Sequence, residues 1–184
     1  MLYLTAAVVI LTGLTLLNLL LMLGVIRRLR DHSERFTQLT KSVMPEVAVL
    51  AAGSPVPEFA ATTRDGDTVS GAALEPETLI GFFSPSCKPC KAMLPKFADY
   101  ARSVPGGRER VLAIVVQDAD PAEYLALLSP VARVVLEEPG GTVAAAFDVS
   151  GFPAVCLIGP DGTVAASGMH LQDLPRAKAL AGRG

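Results

Sequence analysis

The hydrophobic pattern divides the chain into three stretches of different character. From Met1 to Ile26 there is no charged side chain, and leucine, valine and isoleucine dominate. About 20 apolar residues cross a hydrocarbon core of about 30 Å as a helix, so this run is long enough to span a bilayer. It opens without Lys or Arg, as MLYLTAAVV, and leads directly into Arg27, Arg28 and Arg30. A cleaved signal peptide would show a basic start, a shorter apolar run and a small-residue cleavage site. Residues 1–26 are therefore expected to form an uncleaved transmembrane anchor held in the lipid bilayer. In residues 27–53, Leu29, Phe36, Leu39 and Val43 continue from Ile26 at roughly helical spacing, and Pro45 supplies a stop. This stretch is expected to be a juxtamembrane stalk.

From Ser54 onward the period shortens. Residues 59–63 and 68–70 flank Arg64-Asp65-Gly66-Asp67, whose Asp-Gly pair signals a hairpin. The apolar run 78–83 ends at a turn and suits a buried strand, while the β-branched run 111–116 suits a central one. Residues 91–102 read as a helix. Asp120-Pro121-Ala122-Glu123 offers an acidic N-cap, Pro at the first helical position and Glu at the third, opening a helix that reaches Leu128. A strand over 131–136, a loop over 137–141 and a short helix over 142–147 follow. Residues 154–158 and 163–167 flank Gly159-Pro160-Asp161-Gly162, a turn between antiparallel strands. A last helix is expected over 171–181. Strands alternating with helices, then a hairpin and a helix, predict an α/β domain with a mixed sheet over residues 54–184.

Composition narrows the picture. A chain of 184 residues with 51% apolar and 18% charged side chains suits one domain plus an appendage and excludes disorder throughout. The formal net charge of −2 leaves no basic field to hold nucleic acid by counterion release. Charge is unevenly placed: residues 27–53 hold five basic and three acidic side chains, and residues 54–184 hold 11 and 15. Three cysteines are too few for a disulfide-rich scaffold.

The chemistry concentrates in Ser84-Pro85-Ser86-Cys87-Lys88-Pro89-Cys90-Lys91. Two cysteines separated by two residues can close a disulfide within one helical turn. Placed between an apolar strand and a helix, Cys87 falls at a helix N-terminus, where unsatisfied N–H groups and the dipole favour an anion. The thiolate so favoured is the nucleophile of disulfide exchange. Lys88 and Lys91 add positive potential, and Cys90, one turn inward, is placed as the resolving thiol. A structural zinc site would need two more ligands, for which only Cys156, His32 and His170 remain, without a second pair at metal spacing. A purely structural disulfide across so small a loop would constrain little of the unfolded chain. A second signal is Gly151-Phe152-Pro153, just before the strand at 154–158: proline at that position marks a turn or a cis peptide.

Strand, Cys-x-Pro-Cys, helix, then Gly-Phe-Pro before the final hairpin resembles the thioredoxin fold, and more narrowly the membrane-anchored TlpA-like thiol–disulfide oxidoreductases. The resemblance extends over the leading segment Gly53-Ser54-Pro55-Val56-Pro57-Glu58-Phe59, over Pro95, and over Phe147-Asp148-Val149-Ser150-Gly151-Phe152-Pro153. The anchor followed by an Arg-rich stretch is similar to the MauD-type proteins of methylamine utilisation. The resemblance implies that Cys87 attacks and Cys90 resolves. It also implies that Pro153 is a cis proline beside the pair, that the Phe152 backbone pairs with a bound peptide, and that Pro95 kinks the active-site helix. Lys88 and Pro89 would tune the pair. It implies protein disulfides as substrates and a membrane protein as electron donor or acceptor, with no cofactor or metal. It places the soluble domain outside the cytoplasm, as part of a single-pass protein of the cell membrane. The positive-inside rule alone points the other way.

The chain departs from the pattern in three places. Phe83 stands for the common Trp, Ser86 for the usual aromatic before Cys87, and Gly81 for the buried Asp that in thioredoxin can accept the resolving thiol's proton. Cys156, on an apolar strand, is expected to be an inert core residue. Two rival functions share the fold. Ser84-Pro85-Ser86-Cys87 echoes the S-x-x-C of thiol peroxidases, although Ile80 stands where their proline is expected. Met169-His170 with the cysteine pair suggests a non-catalytic copper-binding module.

Overall fold

The computed structural model describes residues 1, 11–19, 22 and 48–175. The chain divides into two units, Met1–Pro45 and Glu46–Gly184. In the first, residues 11–19 are helical, and Thr15 Oγ1 donates back to the carbonyls of Leu11 and Thr12 at 3.0 and 2.9 Å. Leu11, Leu14, Leu16, Leu17 and Leu19 are exposed. Among the described residues no helix is long and apolar enough to cross a membrane. Most of the expected anchor, the stalk up to residue 47 and the end of the expected last helix lie outside the described residues.

In the second unit, β1 (Ala60–Thr62) and β2 (Thr68–Ser70) form an antiparallel hairpin. Its turn needs the left-handed φ of +93° at Gly66, which explains the Asp-Gly signal. The main sheet follows: β3 (Leu79–Phe83), α1 (Lys88–Ala101), β4 (Val111–Val116), α2 (Ala122–Leu128), β5 (Arg133–Glu137), α3 (Thr142–Ala146), β6 (Ala154–Ile158) and β7 (Val164–Gly168). The strands lie in the order β5-β4-β3-β6-β7. β3 runs parallel to β4 and β4 to β5, while β6 is antiparallel to both β3 and β7. This is the mixed sheet that the pattern predicts.

The central strands are buried on both faces, so their side chains sort by alternation into two cores. Leu79 and Phe83 of β3 join Leu94 and Phe97 of α1 and Tyr124 and Leu128 of α2 on one face. Ile80 and Phe82 join Phe59, Val143, Phe147 and Cys156 on the other. Phe147 is edge-on to Phe59 and tilted against Phe82, with centroids 5.7 and 5.5 Å away. Phe83 and Phe97 meet edge-on at 4.9 Å.

Several boundaries differ from the sequence expectation for local reasons. α1 begins at Lys88 because Cys87 serves as its N-cap. α2 has Pro121 as N-cap instead of Asp120, whose Oδ1 accepts the Ala122 N–H at 3.0 Å from one position further out. β5 starts at Arg133 because Val131 and Ala132 both donate to the Leu128 carbonyl and close α2. Past β7 there is one 3₁₀ turn, Leu171–Asp173, in place of the start of an α-helix, and Leu174 beyond it is extended.

Two features reach across the fold. The side chain of Glu137, buried at the end of β5, accepts from the Val143 and Ala144 N–H groups at 2.7 and 3.1 Å, satisfying donors at the start of α3. Residues 48–53 pack onto the domain. Ala48 and Val49 are buried, the Ala48 carbonyl accepts from Ser150 N–H at 3.0 Å, and Leu50 N–H donates to the Phe147 carbonyl at 2.9 Å. Gly53 and Ser54 then bond with both backbone groups of Val164.

Candidate functional site

The apolar strand β3 delivers the chain to the Ser84–Cys87 turn, and α1 begins where the turn ends. Cys87 has extended backbone at the N-cap, and Pro89 fills the second helical position, where no N–H donor is required. Cys87 Sγ accepts the Cys90 N–H at 3.4 Å, and its own S–H donates to the Phe152 carbonyl at 3.3 Å. The sulfur is partly exposed and sits at the positive end of a 14-residue helix. Cys90, one turn along, is fully buried. Both are free thiols.

Burial pushes the Cys90 thiol well above its ordinary value; the hydrogen bond with Cys87 and the charges of Cys87 and Asp118 add to the shift, and a Ser84 backbone hydrogen bond opposes it. Cys90 is therefore protonated at neutral pH. Tyr124, whose hydroxyl donates to the Ser84 carbonyl at 3.4 Å, is pushed up to about 12, by burial first and then by the charges of Cys90 and Cys87.

The Phe152–Pro153 peptide is cis, as the motif suggests. Phe152 is partly exposed and Pro153 buried. The backbone of the Gly151–Pro153 loop thus lies against the reactive sulfur of another element 65 residues away in sequence.

Gly81 occupies the position at which thioredoxin has a buried carboxylate, and its surroundings explain the absence. A Cβ there would lie 2.6 Å from Phe97 Cε2 and 2.8 Å from Phe83 Cε2. Ordinary carbon–carbon contact is about 3.5–4.0 Å, so the two rings have taken the space a side chain would need.

A carboxylate is present elsewhere. Ser84 Oγ and Ser86 Oγ donate to Asp118 Oδ2 at 2.5 and 2.6 Å, and Ser86 N–H donates to Oδ1 at 3.4 Å. Asp118 lies just past the end of β4, next to the turn that follows β3.

The AhpC/TSA family model matches residues 52–167. The chain belongs to the AhpC/TSA family. No curated protein matches it. Among solved structures it is similar to a secreted Mycobacterium tuberculosis disulfide oxidoreductase homologous to E. coli DsbE. The identity is 23%, with 68% of this chain and 93% of that one covered and a TM-score of 0.52. A thio-disulfide isomerase from Thermus thermophilus matches at 23% identity, with 72% and 94% covered and a TM-score of 0.55. The thioredoxin domain of a Bacteroides vulgatus thiol-disulfide oxidoreductase matches at 18%, with 72% and 97% covered and a TM-score of 0.56. These likenesses establish the thioredoxin-like fold.

In this AhpC/TSA chain the structure brings Cys87, Cys90, Phe152 and Pro153 together at one end of the sheet. Lys88 and Pro89 are exposed on the first turn of α1. Lys91 is ion-paired with Glu123 at 2.7 Å, which offsets the positive potential expected from it. Pro95 lies inside α1, which continues through it, and its missing N–H leaves the Lys91 carbonyl without the usual helical donor. Cys156 is fully buried on β6, in the core on the opposite face of the sheet from Cys90. His170 is exposed beside Asp173. Among the described residues no group of three or more His, Cys, Asp or Glu is arranged to hold a metal ion.

Two residues escape a reading of the sequence: Asp118 and Tyr124. Both lie far along the chain from the cysteines, and only the parallel pairing of β3 with β4 brings that region beside them. The available signal is topological, since sites in α/β sheets gather at the carboxyl ends of parallel strands.

Proposed function

We propose that the chain is a thiol–disulfide oxidoreductase acting on protein disulfides through Cys87 and Cys90, tethered to the membrane by residues 1–26. One observation carries the reading: a partly exposed sulfur caps a helix, beside a buried second thiol and the loop carbonyl of Phe152 to which it donates. The Cys87 thiolate attacks a substrate disulfide, forming a mixed disulfide and releasing one substrate thiolate. Cys90 then loses its proton to solvent and attacks Cys87 Sγ, closing the Cys87–Cys90 disulfide and releasing the second substrate thiolate. Two electrons pass to the substrate, and the reverse sequence oxidises a dithiol. When the Cys87 thiol turns to its substrate, the Phe152 carbonyl becomes free to accept a hydrogen bond from a bound peptide, and Pro153 holds that loop against the pair. Lys88 and Pro89, at the first turn of α1, tune the potential, and a membrane protein supplies or removes the electrons.

Insulin provides the test. Reduced protein should transfer electrons to it and form the Cys87–Cys90 disulfide with Cys156 still a thiol. Cys90→Ser should stop at a covalent mixed disulfide, and Cys87→Ser should be inert. Exchange that survives Cys87→Ser overturns the reading.

The tether is supported by the uncharged run 1–26 and by the exposed leucines of residues 11–19. We place the domain outside the cytoplasm on its resemblance to MauD-type proteins. An impermeant maleimide should then label Cys87 on intact cells after reduction; labelling only after lysis reverses that assignment.

Family membership favours one rival, a thiol peroxidase. The geometry favours it less, because the Ser84 hydroxyl is committed to Asp118 and Cys156 lies across the sheet from Cys87. Rapid peroxide consumption that survives Cys90→Ser, with resolution dependent on Cys156, would establish the peroxidase instead.

A further inference from the structure

The cluster of Ser84, Ser86 and Asp118 plays no part in the exchange steps above, yet it holds the turn on which they depend. Ser84 follows β3 and Asp118 follows β4, so the two parallel strands present them side by side. The Ser84 carbonyl accepts the Cys87 N–H at 3.1 Å and the Tyr124 hydroxyl at 3.4 Å, while its side chain binds Asp118. One residue therefore joins the carboxylate, the phenol and the nucleophile's backbone.

Asp118 is exposed, but three donors converge on it from the turn. Desolvation is the largest single influence on its carboxyl and raises it, but the hydrogen bonds from Ser84 and Ser86 together outweigh this and hold it below the usual carboxylate range. Such a group is a poor proton acceptor and stays charged near neutral pH. Its charge reaches Cys90, where it opposes ionisation in addition to burial and Cys87. Tyr124 on α2 feels the Asp118 charge together with those of Cys90, Cys87 and Glu123, the last of which is paired with Lys91, and Asp120, two residues on from Asp118, is bonded to Ala122 N–H.

We propose that Asp118 is a positioning residue for disulfide exchange: it pins the Ser84–Cys87 turn through both serines and supplies a fixed negative charge that slows resolution by Cys90. The proposal rests on the reading of Cys87 and Cys90 as an exchange pair. The rate of the second step is then set in part by a group outside the Cys-x-x-Cys motif.

The test is a single turnover of the reduced full-length protein with dithiobis(nitrobenzoate), followed by stopped-flow absorbance across a range of pH. Cys87 attack forms the mixed disulfide and releases one thionitrobenzoate; Cys90 attack on that disulfide releases the other. Asp118→Asn should move the pH profile of the second release to lower pH, making it roughly threefold faster near neutrality, as expected for one charge removed through a mostly aqueous path. Asp118→Glu should keep the wild-type profile. Ser86→Ala, at an exposed position, removes one hydroxyl donor and leaves the Asp118 charge in place, so it should keep the second-release profile close to wild type. A role in stability alone would lower the melting temperature and leave the profile in place. A second-release profile unmoved in Asp118→Asn, or moved to higher pH, overturns the proposal. A wild-type protein that releases only one thionitrobenzoate would instead overturn the exchange reading.

Discussion

Adding a single methyl group at Gly81 tests whether the proton-acceptor position of the fold has been given over to packing. In Gly81→Ala the new Cβ would sit 2.6 Å from Phe97 Cε2, 2.7 Å from Cζ and 2.8 Å from Phe83 Cε2. The shortfall against a contact of about 3.5 Å is close to 1 Å. Both rings are fully buried and stacked edge to face, so neither can turn aside without disturbing the other. Overpacking of this kind costs about 1–3 kcal/mol. Replacing glycine in a strand returns about 0.5–1 kcal/mol through the unfolded chain. With contacts about 1 Å too short, the upper half of that overpacking range, about 2–3 kcal/mol, applies, so the expected net loss is about 1–2.5 kcal/mol, read as a lower urea midpoint with unchanged slope. Phe97→Leu alone should also destabilise, by leaving a void. Combined with Gly81→Ala it should cost less than the sum, with a coupling of about 1 kcal/mol, because each change makes room for the other. Gly81→Asp should cost several kcal/mol more than Gly81→Ala, since its carboxylate would meet only phenyl edges. A Gly81→Ala variant within about 0.5 kcal/mol of wild type, or strictly additive effects, would refute the packing argument.

Two further outcomes follow from buried titratable groups. Cys90 and Cys156 both have thiols raised above the ordinary value of 9.0, Cys156 by burial and Cys90 by burial together with Cys87. The folded state therefore keeps protons that the unfolded chain gives up above about pH 9. The stability these thiols contribute is complete below that pH and is lost as pH rises, at up to about 1.4 kcal/mol per pH unit for each. Urea midpoints under reducing conditions should fall between about pH 9 and 10.5, and Cys156→Val should remove roughly half the slope; a flat profile would refute this. Glu137→Ala should cost about 2–4 kcal/mol by stranding two buried N–H donors, with Glu137→Gln losing less because it keeps one carboxyl-like acceptor. Equal stability of Glu137→Ala and wild type in the same titration would show that α3 does not depend on that cap.

The fold was largely readable in advance because its signals are local. The runs 111–116 and 154–158 coincide with β4 and β6, and the Asp-Gly hairpin falls where its glycine requires. The cysteine pair was readable for the same reason, since four consecutive residues contain the whole motif. Asp118 was not, because nothing in Gln117-Asp118-Ala119-Asp120 sets it apart from an ordinary polar loop until β4 is laid beside β3. Glu137 was hidden differently. It lies at the boundary between strand and loop, and its partners are backbone groups that carry no residue signature. The 3₁₀ turn at Leu171–Asp173 and the exact cap of α2 depended on competition among neighbouring donors, which composition does not decide.

The entry of the chain into the domain has a mechanical consequence. Ala48 and Leu50 are stitched by backbone hydrogen bonds to Ser150 and Phe147, immediately ahead of the loop whose carbonyl faces Cys87. Any tension reaching residue 48 from the preceding chain would thus load the segment leading to Phe152 before it loads the sheet. The point where the chain enters the domain and the reactive sulfur share a lever arm of only a few residues, so a pull applied at residue 48 would be felt first where the Phe152 carbonyl meets Cys87.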